Sequence, residues 1–172
     1  KKIMEQRDFL IIGAGIVGIT IAREIRRRLP EARIMIIEKE SGAAEHASGR
    51  NSGVIHAGFY YTAETLKARF SVDGAKKLKV FCRERGLRLR ECGQMVVARD
   101  VHEVEKLHLL KARGDANGVP TEILTAPEAR KIEPNLKTFD YALWSPEEAA
   151  ADPREVAAAL IAELQSAQVE FR

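Results

Sequence analysis

Three glycines, Gly13, Gly15 and Gly18, form a G-x-G-x-x-G pattern directly behind the apolar run of residues 8–12, DFLII. Apolar residues then recur four apart at Val17, Ile21, Ile25 and Leu29 until Pro30 stops the pattern, which predicts a helix over residues 16–29. A second apolar run, RIMII at residues 33–37, ends at Glu38. Strand, helix and strand within 38 residues specify a right-handed βαβ crossover opening a parallel sheet.

Each part of the pattern has a mechanical reason. Gly13 permits a tight turn, Gly15 lets backbone approach a pyrophosphate, and Gly18 brings the helix against the strand. The first helical residues, Ile16 and Val17, present N–H groups and the positive end of the helix dipole to phosphate. Glu38 follows Gly18 by 20 residues, at the place where a carboxylate accepts hydrogen bonds from a ribose, with Lys39 beside it. The expectation is a dinucleotide site, and the fingerprint alone does not choose between NAD and FAD.

The rest of the chain is that of a folded domain or a domain and a part of a second. Of 172 residues 45% are hydrophobic and 31% charged, which excludes disorder and collagen-like structure. The longest stretch without a charge, residues 9–22, spans 14 residues, too few for a bilayer that needs about 20. Lys1 and Lys2 precede it, but Glu5, Arg7 and Asp8 intervene, so a signal peptide is not expected and the chain reads as cytoplasmic. Cys82 and Cys92 form no CxxC and no cluster at metal spacing, so no metal is expected and both read as buried hydrophobes. The basic residues of 76–90 are spread around a predicted helix with few aromatics, a solvated surface and not a nucleic-acid face.

Downstream, helices are expected near 63–85, 101–116 and 126–132, with strands near 91–98, 121–124 and 141–144. Residues 145–153 read as a turn-rich joint, Asp152 and Pro153 start a helix to Ala167, and a strand begins at Val169. His102 and His108 are expected on a solvated helix and Trp144 in the core.

Residues 41–58 lack periodicity and are rich in Gly, Ala, Ser and Asn, a long functional loop with room for one helical turn. Ser48, Arg50, Asn51, Ser52 and Gly53 offer hydroxyls, backbone donors and one cation just beyond the second strand, along the path of a flavin cofactor's phosphates and ribityl chain. That path favours FAD over NAD. His56 follows directly, and Ala57 and Gly58 behind it are small enough to admit a flat ring, which makes His56 the candidate catalytic base or flavin contact. Tyr60 and Tyr61 either line a substrate pocket or pack between domains. Lys67 and Arg69 either hold a dicarboxylate or cover apolar surface.

The stretch SGRNSGVIHAGFYY at residues 48–61, then Leu66-Lys67-Ala68, Cys92-Gly93 and Val96-Val97-Ala98, resembles the N-terminal part of the L-2-hydroxyglutarate oxidase/dehydrogenase family, within the D-amino-acid oxidase-like flavoproteins. The resemblance covers nearly the whole chain. It implies an α/β fold, a Rossmann-like FAD-binding domain with a parallel sheet, interleaved with part of an α+β substrate domain. On it, residues 1–80 are the first FAD segment, 81–146 a partial substrate domain and 147–172 a return to the FAD domain. Relatives carry a glycine where this chain has Ala149 to Ala151, and they are roughly twice as long, which makes the chain an N-terminal portion that is inactive by itself.

The activity implied is oxidation of L-2-hydroxyglutarate, or a related 2-hydroxy acid, to the 2-oxo acid. The electron acceptor is left open between oxygen and quinone, as is peripheral association with the inner membrane. Some related flavoproteins join a histidine in a similar run covalently to the flavin; for His56 a non-covalent contact is expected. An FAD-dependent glycerol-3-phosphate dehydrogenase-like enzyme and a non-catalytic nucleotide-binding module are the alternatives.

Overall fold

The computed structural model describes residues 6–172; Lys1, Lys2 and Glu5, on which the reading against a signal peptide leans, lie outside them. In chain order the elements are β1 (Phe9–Ile12), α1 (Ile16–Arg28), β2 (Ile34–Ile37), β3 (Val54–Ile55), α2 (Leu66–Glu84), β4 (Leu89–Arg90), β5 (Gln94–Val97), α3 (Val101–Ala116), β6 (Glu122–Thr125), α4 (Ala126–Ile132), β7 (Tyr141–Ser145), β8 (Ala149–Ala151), α5 (Pro153–Ser166) and β9 (Glu170–Phe171). The chain forms two compact units, one reaching Gly53 and resuming over Asp152–Arg172, the other Val54–Ala151. The opening segment of the first unit ends at residue 53.

In the first unit β1, β2 and β9 form a parallel sheet in the order β1-β2-β9, with Phe9 opposite Ile34 and Met35 opposite Glu170. This is the βαβ crossover that the glycine spacing predicts. The face of α1 that packs inward differs from expectation. Gly18, Ile19 and Ala22 are buried, while Val17 is 68% exposed and Ile21 47%. The reason is close approach: a Cβ on Gly18 would lie 2.1 Å from the carbonyl oxygen of Gly13. Only a small-residue face lets the helix sit that near the turn, so the four-apart aliphatic stripe points outward. Helix α5 packs on α1, joined across their surfaces by Arg23 and Glu163. The side chain of Asp152 caps α5 by accepting from the N–H of Arg154 at 2.8 Å, as Asp-Pro predicts.

The second unit holds two antiparallel three-stranded sheets, β3-β8-β4 and β5-β7-β6, with α2, α3 and α4. Its core gathers Phe59, Ala98, Leu107, Val119 and Leu143. Three expectations are corrected here. Residues 149–151 are not part of a turn: Ala149–Ala151 is the central strand of its sheet, pairing with Val54–Ile55 on one side and Leu89–Arg90 on the other. Alanine has no strand preference, so the pairing was decided by partners distant in sequence. Cys92 is exposed, whereas Cys82 is buried as expected. Lys79, within the basic stretch read as solvated, is buried on α2, where its Nζ donates to the carbonyl of Glu147 at 2.9 Å. The loop of residues 41–58 contains β3 and successive turns over 43–49 but no helical turn. His102 and His108 are exposed, and Trp144 is half-buried.

Candidate functional site: a glycine turn with its acid, and a histidine paired with a buried glutamate

At the end of β1 the chain turns through Gly13, whose φ of +99° excludes most side chains. Its N–H donates to the carbonyl of Ile37 at 2.7 Å, tying the turn to the end of β2. Helix α1 then begins with no side-chain cap at Gly15 and no acidic residue in its first turn, so its positive end is not neutralised from within. The N–H of Ile16 donates to the Ser48 hydroxyl at 2.9 Å, and a Cβ on Gly15 would meet that same oxygen at 3.2 Å. The turn, the helix start and Ser48 are thus brought together, 32 residues apart in sequence. Val17 lies exposed in the first turn beside them.

Glu38 is held by three backbone donors. Oε2 accepts from Ala14 at 2.7 Å, and Oε1 accepts from Lys39 at 2.9 Å and Glu40 at 3.2 Å. The Ala14 hydrogen bond, then that of Glu40, holds its carboxyl below the usual range against a smaller opposing effect of desolvation, so it is an anion at neutral pH. One lone pair on Oε2 is left for a further donor. The Lys39 ammonium stands 3.5 Å from Glu40.

The other loop residues divide. Asn51 is a local brace: its amide donates to the carbonyls of Ala47 and Ser48 and its oxygen accepts from the N–H of Gly53. Ser52 is exposed. Arg50 is exposed, 3.9 Å from Glu45, and lines a cleft of about 220 Å³ with Ala44, Arg154, Ala157 and Ile161. Arg154, a second cation in that cleft, donates to the carbonyl of Gly49 at 3.2 Å.

In the second unit, the antiparallel register pairs Val54 with Ala150 and Ile55 with Ala149, so the next opposed pair is His56 and Glu148. Glu148 is 1% exposed. Its Oε1 accepts from the N–H of Ala57 at 2.9 Å, and its Oε2 lies 3.2 Å from Nδ1 of His56, off the line of a full hydrogen bond. Burial pushes the Glu148 carboxyl up, opposed by the Ala57 hydrogen bond, His56 and Lys79. The His56 side chain is 46% exposed. Its ring meets Tyr60 edge to face at 5.9 Å, and Tyr60 stacks on Phe59 at 4.2 Å. The Tyr60 hydroxyl accepts from Gln94 at 2.9 Å, and its carbonyl from Arg113 at 2.9 Å.

The small residues behind His56 serve the protein's own packing. Ala57 is in the core, and Gly58 has φ +105° and no room for a Cβ, which would lie 2.7 Å from the Val72 side chain of α2. Lys67 sits 4.5 Å over the ring of Tyr61. Glu148 was invisible to sequence reasoning. It lies 91 residues from its backbone partner, inside what reads as a turn, and no local pattern marks it. Among the described residues no group of three His, Cys, Asp or Glu could hold a metal ion, and no helix is long and apolar enough to cross a membrane.

The residues fit a dinucleotide. An uncapped helix start behind a glycine turn and a fixed carboxylate at the end of the second strand match a diphosphate and a ribose hydroxyl. Comparison with known proteins agrees. The chain is 44% identical over 153 residues to an L-2-hydroxyglutarate dehydrogenase of Escherichia coli O17:K52:H18, covering 89% of this chain and 36% of that protein. It is 37% identical over 161 residues to the mitochondrial L-2-hydroxyglutarate dehydrogenase of Homo sapiens, covering 93% and 35%. The chain thus spans little more than a third of these curated relatives. Among solved structures, dithionite-reduced L-alpha-glycerophosphate oxidase from Mycoplasma pneumoniae with FAD bound is similar with a TM-score of 0.89 and 30% identity, over 98% of this chain and 45% of that one. The family model described as FAD dependent oxidoreductase matches residues 8–172, and with the glycine turn and its acid in place the chain belongs to that family.

Proposed function

We propose that this chain serves the FAD-dependent oxidation of L-2-hydroxyglutarate, or a closely related 2-hydroxy acid, to the 2-oxo acid. The observation that carries the reading is the 44% identity to an L-2-hydroxyglutarate dehydrogenase across 89% of the chain. Bound FAD supplies an acceptor for the hydride at C2. The start of α1 would hold the diphosphate through the N–H groups of Gly15 and Val17 and through the Ser48 hydroxyl, which accepts from the Ile16 N–H and is thereby aimed to donate onward. Glu38 accepts from the adenosine ribose, and Lys39 and Arg50 add positive charge. Ser52 and Gly53 continue the path, and Asn51 shapes it. Residues to about 80, with 147–172, serve the cofactor, and 81–146 contribute to holding substrate.

His56 would contact the flavin without a covalent bond and take the substrate's hydroxyl proton at Nε2. The electron acceptor is oxygen or a quinone, and a quinone would bring the protein to the surface of the inner membrane. A second reading, a glycerol-3-phosphate-oxidising enzyme, is favoured by the 0.89 TM-score to the glycerophosphate oxidase.

Anaerobic mixing of full-length protein with substrate separates the two. L-2-hydroxyglutarate bleaches the flavin and the D enantiomer does not, because only one enantiomer directs its C2 hydrogen at the ring while its carboxylates are held. Bleaching by glycerol 3-phosphate alone transfers the assignment to the second reading, and flavin that stays with the acid-denatured polypeptide rejects the non-covalent contact.

A further inference from the structure

Glu148 is the most deeply buried carboxylate among the described residues, and the fold supplies it with one full hydrogen bond for two oxygens. Oε2 is fully buried without a satisfied partner. Such an atom is costly, and in native proteins it marks a partner that completes it. The groups facing it are few. Lys79 of α2 has its ammonium on the neighbouring carbonyl of Glu147, the Tyr60 hydroxyl is engaged by Gln94, and Nδ1 of His56 is 3.2 Å away. A small rotation of the imidazole makes Nδ1–H the donor that Oε2 lacks. The edge contact with Tyr60, itself stacked on Phe59, limits other rotations.

We propose that Glu148 is the positioning residue that holds His56 as its Nδ1–H tautomer, leaving Nε2 as the atom that takes the substrate's proton. The inference rests on the reading of His56 given above. In the step it serves, the substrate O–H bond breaks with its proton going to Nε2. The oxygen's electron pair forms the carbonyl, and the C2–H pair leaves as hydride to the bound oxidant. The imidazolium so formed faces the buried Glu148 carboxylate, whose charge stabilises it. The same carboxylate fixes the backbone of Ala57, so ring orientation and loop position are set together.

The test is the tautomer itself. In full-length flavin-bound protein labelled with ¹⁵N-histidine, His56 is assigned by the signal missing in His56→Asn, and its ring nitrogens are read at a pH where the imidazole is neutral. The wild type shows Nδ1–H. In Glu148→Gln the single amide oxygen goes to the Ala57 N–H and the NH₂ faces Nδ1, so the tautomer reverses to Nε2–H. With it kcat falls by about tenfold or more, while KM and flavin content stay within about twofold. A wild-type Nε2–H tautomer overturns the proposal whatever the variant does, and so does a tautomer that is the same in both proteins. If the tautomer reverses but His56→Ala turns over at the wild-type rate, the positioning by Glu148 stands and the role of His56 in oxidation falls.

Discussion

The two units build their polar sites by opposite means. In the first, backbone does the work: a glycine turn, an uncapped helix start and a solvated carboxylate, Glu38, held by three N–H groups. In the second, one buried carboxylate, Glu148, ties down the N–H of Ala57 and faces a half-exposed histidine at the end of the sheet. Both acids accept backbone hydrogen bonds, yet their ionisation moves in opposite directions. Water and three donors favour the anion of Glu38, whereas burial outweighs the opposing effects of the Ala57 N–H, His56 and Lys79 at Glu148. A carboxylate's chemistry here depends on its solvent far more than on its residue type.

The largest expected effect tests whether the first site is truly backbone-built. Gly18→Ala puts a Cβ 2.1 Å from the Gly13 carbonyl oxygen, where neither partner is a flexible side chain. A loss of about 3 kcal/mol in stability is expected, with most bound flavin lost, measured by thermal unfolding and flavin absorbance. Unchanged flavin content would mean that the turn tolerates displacement and does not define the site.

Next in size is His56→Ala, which probes the side-chain-built site. Flavin content should stay near normal while kcat on L-2-hydroxyglutarate falls by about 10²-fold. Unchanged turnover would reduce the histidine to scaffolding and erase the functional half of the contrast.

Glu38→Gln comes third. Its amide can satisfy only one of the two groups of donors, so FAD affinity should drop by about tenfold, the worth of a hydrogen bond to a charged group. Because the folded state holds the Glu38 carboxyl below its ordinary 4.5, the anion's contribution to stability is present above that pH and is lost as pH falls through the lower folded value. The variant should therefore melt slightly below wild type at neutral pH, and the gap should close in acid.

The smallest effect has the opposite sign. The folded state holds Glu148 above 4.5, so its contribution favours folding below that pH and is lost as pH rises through the raised value. Glu148→Gln should melt slightly above wild type at pH 7, with the advantage shrinking toward pH 4. Melting curves of the two glutamine variants that shift in the same direction would break the contrast between the sites.

How much of this was legible depends on how local the cause is. The βαβ unit was readable because glycine spacing, apolar runs and a proline act within 38 residues, and a backbone-built site leaves its requirements in the residues that form it. The cap of α5 was readable for the same reason, since Asp152 bonds an N–H two positions on. The inward face of α1 was not, because hydrophobic spacing marks where a helix is apolar, while Gly18 and Ala22 mark where it can come close.

What the sequence by itself determined is therefore the dinucleotide turn, its acid, the order of most elements and the polar loop leading to His56. Only the tertiary structure decided that three alanines with no strand preference become the middle of a sheet. That pairing carries Glu148 opposite His56, and burial then changes what the carboxylate can do. Register and desolvation are properties of the assembled chain: each depends on residues more than ninety positions apart, and no window along the sequence contains both partners.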